Sequence, residues 1–324
     1  MGPPLRRFRA QAALWTAGRG PHGGRLVSVG MNRPVLAPGL RVLRRSRDEL
    51  QIGLSAEHRV RLRDTEPVRR TLARLTRGEA VPDDPETRSV LAALAPVLVD
   101  GAGLVDPGAA AGDVAAAALR DPSGYRSRLA ARREARIVVR GDLGAPGAEP
   151  APLLAAAGAP VAAEAQSGRP DAVLVLSIGE IDRGELDPLV RHGIPHLVLR
   201  LIEGTAVVGP FVEPGRTACL RCLDAHRSVH QPDAIPLALR HAAAAHDRHD
   251  GVAEPADTAL ATLAVAWAVR DLVSFVEGER PATWSATVEF SPTLDLVSRT
   301  EWLRNPACGC GWAPGEQPSS TMAG

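Results

Sequence analysis

The sequence predicts an α/β protein: a parallel sheet with helices on its faces in the second half, preceded by a small α+β unit. Three patterns carry that prediction. From Arg136 onward, short apolar runs alternate with glycine turns and helical segments, as in "RIVVRGDLG" and "DAVLVLSIG". Between Leu40 and about residue 108, strands at period two come first and amphipathic helices follow. All four cysteines fall in two close pairs, Cys219 with Cys222 and Cys308 with Cys310, at the two ends of the last third of the chain.

With 324 residues the chain exceeds most single cores, so two domains are expected. Residues 1–30 hold five Arg, no acid and no sustained periodicity. They are expected to be a disordered extension or an upstream start-site artefact, and residues 313–324 a disordered tail. In "RVLRRSRDELQIGL" Leu50, Ile52 and Leu54 share one face, as do Val60 and Leu62 in "HRVRLRD", which predicts two or three short strands. A helix follows, with Thr65 placed to cap it, Pro67 in its first turn, Val68, Leu72 and Leu75 on one side and Gly78 at its end. A second helix starts near Pro85 with Val90, Leu91, Leu94 and Leu98 inward, and then a turn. Residues 109–133 show no clear amphipathic face and break at Asp121-Pro122-Ser123-Gly124, so a linker with helical pieces is expected.

In the second half, "RIVV" reads as a buried strand, "RGDLGAPG" as a glycine-rich turn and "PLLAAAGAP" as a short helix ending at Gly158. A second buried strand, "DAVLVLSIG", precedes a helix or turn in "RGELDPLVRHG". "PHLVLRLIEGTAVVGPFV" reads as two strands joined at Glu203-Gly204. Thr258 to Gly278 is a long helix, apolar nearly all round and therefore buried. "WSATVEFSPTLDLVSRTEWL" gives two short strands before the second cysteine pair.

A net charge of +1 argues against a broad field built for nucleic acid. No run approaches about 18 consecutive apolar residues, and the start lacks an apolar run with a small-residue cleavage site, so a cytoplasmic protein with no membrane partner is expected. All 38 basic residues are Arg, so no reaction that needs a lysine ammonium can be served from within this chain. In a reducing compartment, close cysteine pairs are metal-binding or redox-active more often than structural disulfides. Two pairs offer the four thiolates of a tetrahedral zinc site. A redox pair, or unpaired buried thiols, is the competing reading.

The order of parts in residues 134–312 resembles the ThiF-type family, bacterial relatives of ubiquitin-activating enzymes. It has a glycine-rich turn after a first strand, "DAVLVLSIG", the segment "HGIPHLVLRLIEGTAVVGPFVEPGRTACLRC", a long helix and a closing cysteine pair. The resemblance implies a Rossmann-like domain, homodimerisation, and structural zinc held by Cys219, Cys222, Cys308 and Cys310. Residues 31–108, from "PVLAPGLRVLRRSRDELQIGL", are similar to the winged-helix-like peptide-recognition domains fused to such modules. Together the halves resemble the leader-peptide-binding partner of a YcaO-type azoline-forming cyclodehydratase. In such peptide-modification systems, bacteriocin biosynthesis among them, the ThiF-like protein is a scaffold for the precursor peptide while its partner performs the ATP-dependent chemistry.

An active ThiF-type enzyme adenylates a carboxylate, which takes a phosphate-cradling loop, a metal-binding Asp, and Arg and Lys side chains. Here Gly141, Gly144 and Gly147 are spaced G-x-x-G-x-x-G, and Pro150 and Pro152 follow. Where the family carries its Asp, this chain has Ser177, Ile178 and Gly179, with Glu180 the nearest acid. The segment that would bring a ribose-binding Asp, an Arg and a Lys is missing, since "APVAAEAQSGRPDAVLVL" runs almost straight into the next strand. ATP is therefore not an expected ligand. The competing reading is an adenylyltransferase that uses Gly141, Gly144 and other Arg residues.

Arg59, Arg61 and Arg63 alternate opposite Val60 and Leu62, and Arg70 and Arg74 follow on the helix. A solvated charged face accounts for them in so Arg-rich a chain. The sharper reading is an edge strand and basic helix that take an acidic peptide by strand addition. A DNA-associated regulator would use the same residues, and the near-neutral charge counts against it. His226, His230, His241, His246 and His249 fit a polar connecting loop, with a metal site that includes Asp247 and Asp250 as the alternative. Asp224, His226 and Ser228 lie near Cys222 without the G-x-S-x-G context of a hydrolase.

Overall fold

The computed structural model describes residues 33–163, 168–243, 252 and 254–310. The expectations for residues 1–30 and 313–324 lie outside the described residues.

The N-terminal unit builds its core from the predicted alternation at Leu50 and Ile52, whereas Leu54, expected on the same face, lies beyond the strand and is exposed. Strands β1 (Pro34–Leu36), β2 (Val42–Arg44), β3 (Glu49–Ile52) and β4 (Val60–Arg63) come first, and β2-β3-β4 form an antiparallel meander. Helix α1 (Glu66–Arg77) has Pro67 in its first turn and ends at Gly78, whose φ of 65° only glycine adopts freely. The side chain of Asp84 accepts the Thr87 N–H at 2.9 Å and so caps α2 (Pro85–Leu94). Val68, Leu72 and Leu75 of α1 meet Leu50 and Ile52 of β3 and Val90 and Leu94 of α2 in one core. Leu98, expected on the inner face of α2, instead begins β5 (Leu98–Asp100), which pairs antiparallel with β1.

The helical pieces expected in residues 109–133 are α3 (Ala111–Arg120) and α4 (Tyr125–Glu134). They have a buried face after all: Val114, Ala117, Ala118, Tyr125 and Leu129 pack with Ala37 and Val99. Alanine supplies much of that face, so the contrast between its sides is weak in the sequence.

The second half is one six-stranded sheet, order β11-β10-β9-β8-β7-β6. Strands β6 (Ile137–Arg140), β7 (Ala172–Ile178) and β8 (His196–Ile202) are parallel, linked through α5 (Pro150–Ala156) and α6 (Arg183–Arg191). The expectation of a parallel sheet fails for the other half. Strands β9 (Thr205–Val212), β10 (Ala286–Phe290) and β11 (Val297–Glu301) are antiparallel to their neighbours. The cause is local: Glu203 and Gly204, with φ of 50° and 78°, make a two-residue turn between β8 and β9. Such a turn joins only antiparallel strands, whereas a parallel return needs a crossover of about a dozen residues.

A single bridge at Val161 decides the topology. Val161 pairs parallel with Ile137, and the N–H of Ala162 donates to Ile137 O at 2.8 Å. The chain therefore leaves β6, passes through α5 to the outer side of β6, and returns to the opposite side as β7. This reversal is a topological switch point, and in doubly wound sheets ligands bind at the carboxyl ends of the strands beside it. Helices α5 and α9 (Thr258–Val276) cover one face of the sheet, packing on Leu174, Leu199 and Phe211. On the other face, α6 and α7 (Leu220–Arg227) pack on Val173, Val175 and Val198, and α8 (Ala234–Ala243) follows α7. Although α9 is long and apolar enough to cross a membrane, with a mean hydropathy of 1.6, it lies against the sheet with Leu260, Val265 and Leu272 buried.

Candidate functional site

Cys219 caps the N-terminus of α7 and Cys222 stands in its first turn, so the C-x-x-C spacing turns both sulfurs to one side. Cys308 ends a single 3-10 turn after β11, and Gly309, at φ 77°, folds the chain back to present Cys310. The sulfurs of Cys219 and Cys308 lie 3.4 Å apart, those of Cys222 and Cys310 3.4 Å, and those of Cys219 and Cys222 3.8 Å. All four lie within 4.8 Å of one another. Four thiolates about 2.3 Å from a tetrahedral zinc would stand roughly 3.8 Å apart, whereas a disulfide brings two sulfurs to about 2.05 Å. The four cysteines are free thiols that fit one metal ion and are compatible with structural zinc. Hydrogen bonding from Cys219, and more weakly from the Asn305 N–H at 3.3 Å, favours the thiolate of Cys222. Trp302, just past β11, packs in one small core with Leu220, Cys222 and Leu223 of α7.

The crevice at the switch point holds the three glycines. Gly141 has φ 76°, and a Cβ there would stand 2.2 Å from the Leu176 carbonyl oxygen, so this glycine is required by the approach of two strands. Gly144 donates its N–H to Asp142 Oδ1 at 2.9 Å, and Leu143 and Ala145 between the glycines and Ala148 just after them are buried. Helix α5 begins at Pro150 with Pro152 two residues on, so two of its first three residues have no N–H to offer.

Glu180 follows β7 and is fully engaged. Its Oε1 accepts from Arg200 Nη1 at 2.7 Å and its Oε2 from Arg183 Nη1 at 2.6 Å. Arg183 also grips Asp224 with two bonds of 2.8 and 2.9 Å, which removes Asp224 from any hydrolase role. His226 Nε2 lies 2.8 Å from Leu303 O, and the Ser228 hydroxyl donates to Ala225 O. His241 Nδ1 accepts the Glu180 N–H at 3.3 Å. His246, Asp247, His249 and Asp250 lie outside the described residues.

Burial alone would raise the Glu180 carboxyl, but the guanidinium groups of Arg200 and Arg183 outweigh it and hold the group below its ordinary range. A depressed carboxylate stabilises the fold above its unfolded value of about 4.3 and loses that contribution as pH falls through the lower folded value. Glu180→Gln should therefore be less stable than the parent at pH 7 and should flatten the acid limb of the melting-temperature profile. A parallel shift at every pH would disprove the linkage. Sequence reasoning missed this network, although an Arg inside the apolar run "HLVLRLI" was a usable sign of a buried ion pair.

At the other end of the chain β4 is an edge strand. Asp64 donates its N–H to Asp48 O just past the β3–β4 ladder, and inward bonds alternate along an antiparallel pair. Arg61 and Arg63 therefore turn their own backbone groups to the open side, and both side chains are exposed. Arg59 donates to Leu54 O at 3.0 Å. Arg70 and Arg74 line a groove of about 390 Å³ between α1 and the start of α2, a groove that includes none of the β4 arginines.

No family model matches the sequence, and no curated protein matches it. The fold is shared with solved structures. The heterocyclase TruD aligns with a TM-score of 0.64 and 16% identity, over 86% of this chain and 43% of its own. A heterocyclase in complex with substrate and cofactor gives 0.64 and 14%, over 86% and 39%. E. coli MccB with ATP gives 0.54 and 11%, over 86% of this chain and 100% of MccB. At these identities the likeness is one of fold, and it agrees with the ThiF-like fold expected from the sequence. This chain spans about two-fifths of the heterocyclase chains and the full length of MccB.

Proposed function

We propose that the protein is a non-catalytic scaffold. Cys219, Cys222, Cys308 and Cys310 would hold a structural zinc, and the winged-helix-like N-terminal unit would bind a precursor peptide and present it to a modifying enzyme such as a YcaO-type cyclodehydratase. The observation that carries the reading is the engagement of Glu180. An adenylating ThiF-type enzyme needs a free carboxylate for its metal after this strand, and here both carboxylate oxygens are taken by Arg183 and Arg200. The absence of lysine and the two prolines that open α5 support it. MccB has this fold and was solved with ATP, so the difference rests on side chains rather than on architecture. The peptide would add to β4 beside Arg61 and Arg63 with Arg59 at its end, and Arg70 and Arg74 would draw its acidic side chains. A homodimer follows from the ThiF resemblance.

Calorimetric titration of the full chain with ATP and magnesium tests the reading. No binding up to millimolar nucleotide is expected. Micromolar binding would replace the scaffold with an active adenylyltransferase and turn the search toward its carboxylate substrate.

A further inference from the structure

The six-stranded sheet ends in a second open edge, far from β4 in the chain. Among the described residues β11 pairs only with β10. The ladder between them is bracketed by two bonds: the N–H of Trp302 donates to Ser285 O at 2.7 Å, and that of Ser291 to Leu296 O at 3.0 Å. Bonds to the neighbour alternate along an antiparallel strand, so Ser298 and Thr300 also face β10, while Val297, Arg299 and Glu301 turn their N–H and C=O groups outward. Among the described residues nothing pairs with those groups. Natural edges are guarded by charge, a bulge or a cover. Here Arg299 and Glu301 neutralise one another at 2.6 Å, and Leu296 and Val297 are 63% and 51% exposed.

Where β11 ends, the edge opens into a groove of about 860 Å³ whose walls include Trp284, Trp302, Arg216, Arg280 and Arg304. Both indoles are fixed. Trp284 stacks on Phe211 with ring centres 6.2 Å apart, and Trp302 donates its Nε1–H to Thr287 Oγ1 at 3.0 Å. The guanidinium groups of Arg216 and Arg280 each stand 5.6 Å from the centre of the Trp284 ring. Arg216 is paired with Glu213, whereas among the described residues Arg280 and Arg304 make no ion pair within 4.0 Å, although Arg280, after Arg299, also helps to hold the Glu301 carboxyl below its ordinary range. A guanidinium held against an indole keeps its N–H fork available for a carboxylate.

We propose that β11 and this groove dock a partner protein through an extended acidic segment. That segment would add as a further strand along Val297–Glu301 and set carboxylates against Arg280 and Arg304. Nucleic acid would use the arginines but leave the open backbone groups unused. A second copy fits less well: symmetric antiparallel pairing centred on the strand sets Arg299 against its own counterpart, and Asp295, which it would bring opposite Leu303 beside Arg304, is already bonded to Ser291 and Thr293. The inference does not depend on the scaffold reading, since it concerns a different edge in a different part of the fold.

Fluorescence polarisation of a labelled alternating Glu-Val peptide against the full chain tests it. Arg280→Glu with Arg304→Glu should weaken binding at least about tenfold through the lost charge pairs. Val297→Pro removes an outward N–H without touching a ladder bond and should weaken it comparably. Arg61→Glu with Arg63→Glu, at the other edge, removes whatever share of the same acidic peptide β4 takes; in that background Arg280→Glu with Arg304→Glu should still weaken binding at least about tenfold, and thermal melts of each variant show whether it is folded. If the proline variant does not fold, the peptide N-methylated at alternate residues takes its place and should bind at least about tenfold more weakly. The proposal is overturned by loss of binding only in the β4 variant, by equal affinity for a single-stranded DNA oligonucleotide, or by a concentration-dependent dimer that Val297→Pro dissolves.

Discussion

Cys308→Ser should cost the protein one bound metal ion per chain and about 3 kcal/mol of stability. For a domain of this size that is roughly a 6–12 °C fall in melting temperature. The chain segment after β11 has little apolar surface with which to hold itself. Beyond Trp302 its connection to α7 is the cysteine cluster, the Asn305 N–H to Cys222 and the contact of Leu303 O with His226. Cys219 and Cys222 are 4% and 0% exposed, so one half of the site is already placed by the packing of α7. The other half would depend on a metal held by all four thiolates. Cys219→Ser should release the ion as well and should cost more, because it also leaves a hydroxyl buried without its former partners. Elemental analysis beside calorimetric melts reads both effects, and a chelator should reproduce them in the parent. Full metal content in both variants, or a parent that binds none and responds to thiol reagents alone, would return the cluster to the redox reading.

The sequence made the elements legible where chemistry and period agree. The alternation through Leu50 and Ile52, the proline in the first turn of α1 and the glycine after it each tie one residue type to one backbone need, and the structure uses them that way, whereas Thr65, expected to cap α1, stands at the N-cap without a side-chain bond. The cysteine cluster was legible for the same reason, since two close thiol pairs have few uses. What the sequence concealed was pairing between distant segments. The single bridge of Val161 to Ile137 creates the switch point from one residue. The antiparallel half of the sheet was implied by the two-residue Glu203-Gly204 turn, but the run of apolar strands before it suggested parallel pairing. Helix α3 buries Ala117 and Ala118, and a face of alanines carries too little contrast to be seen by periodicity. The ion network around Glu180 joins residues from β8, α6 and α7, and a linear reading could name its acid but not the arginines that occupy it.

Glu277→Ala should destabilise the chain by about 3–5 kcal/mol, among the largest single losses available outside the cysteine cluster. Glu277 follows the last turn of α9, where a helix presents its negative end and a carboxylate is ordinarily unwelcome. Its side chain is 0% exposed, and arginines hold it there: Arg132, itself 3% exposed, donates Nε to Oε1 at 2.6 Å, and Arg120 donates Nη2 to Oε2 at 2.7 Å. Arg132 also reaches Ala157 O at 2.8 Å, so α3 and α4 are fastened at once to α9 and to the end of α5. Removing the carboxylate strands the buried Arg132 without a counter-charge, and that is the costly outcome. Replacing both members should be far milder. In Glu277→Leu with Arg132→Met, apolar packing substitutes for the pair, and most of the loss should be recovered in a double-mutant cycle. Hydrogen exchange should locate the damage in α3 and α4, which rely on this contact, while β2, β3 and β4 keep their protection. A loss below about 1 kcal/mol would mean that water reaches the pair. Uniform loss of protection across the chain would mean that the two halves unfold as one unit, with the Glu277 cluster as the joint between them.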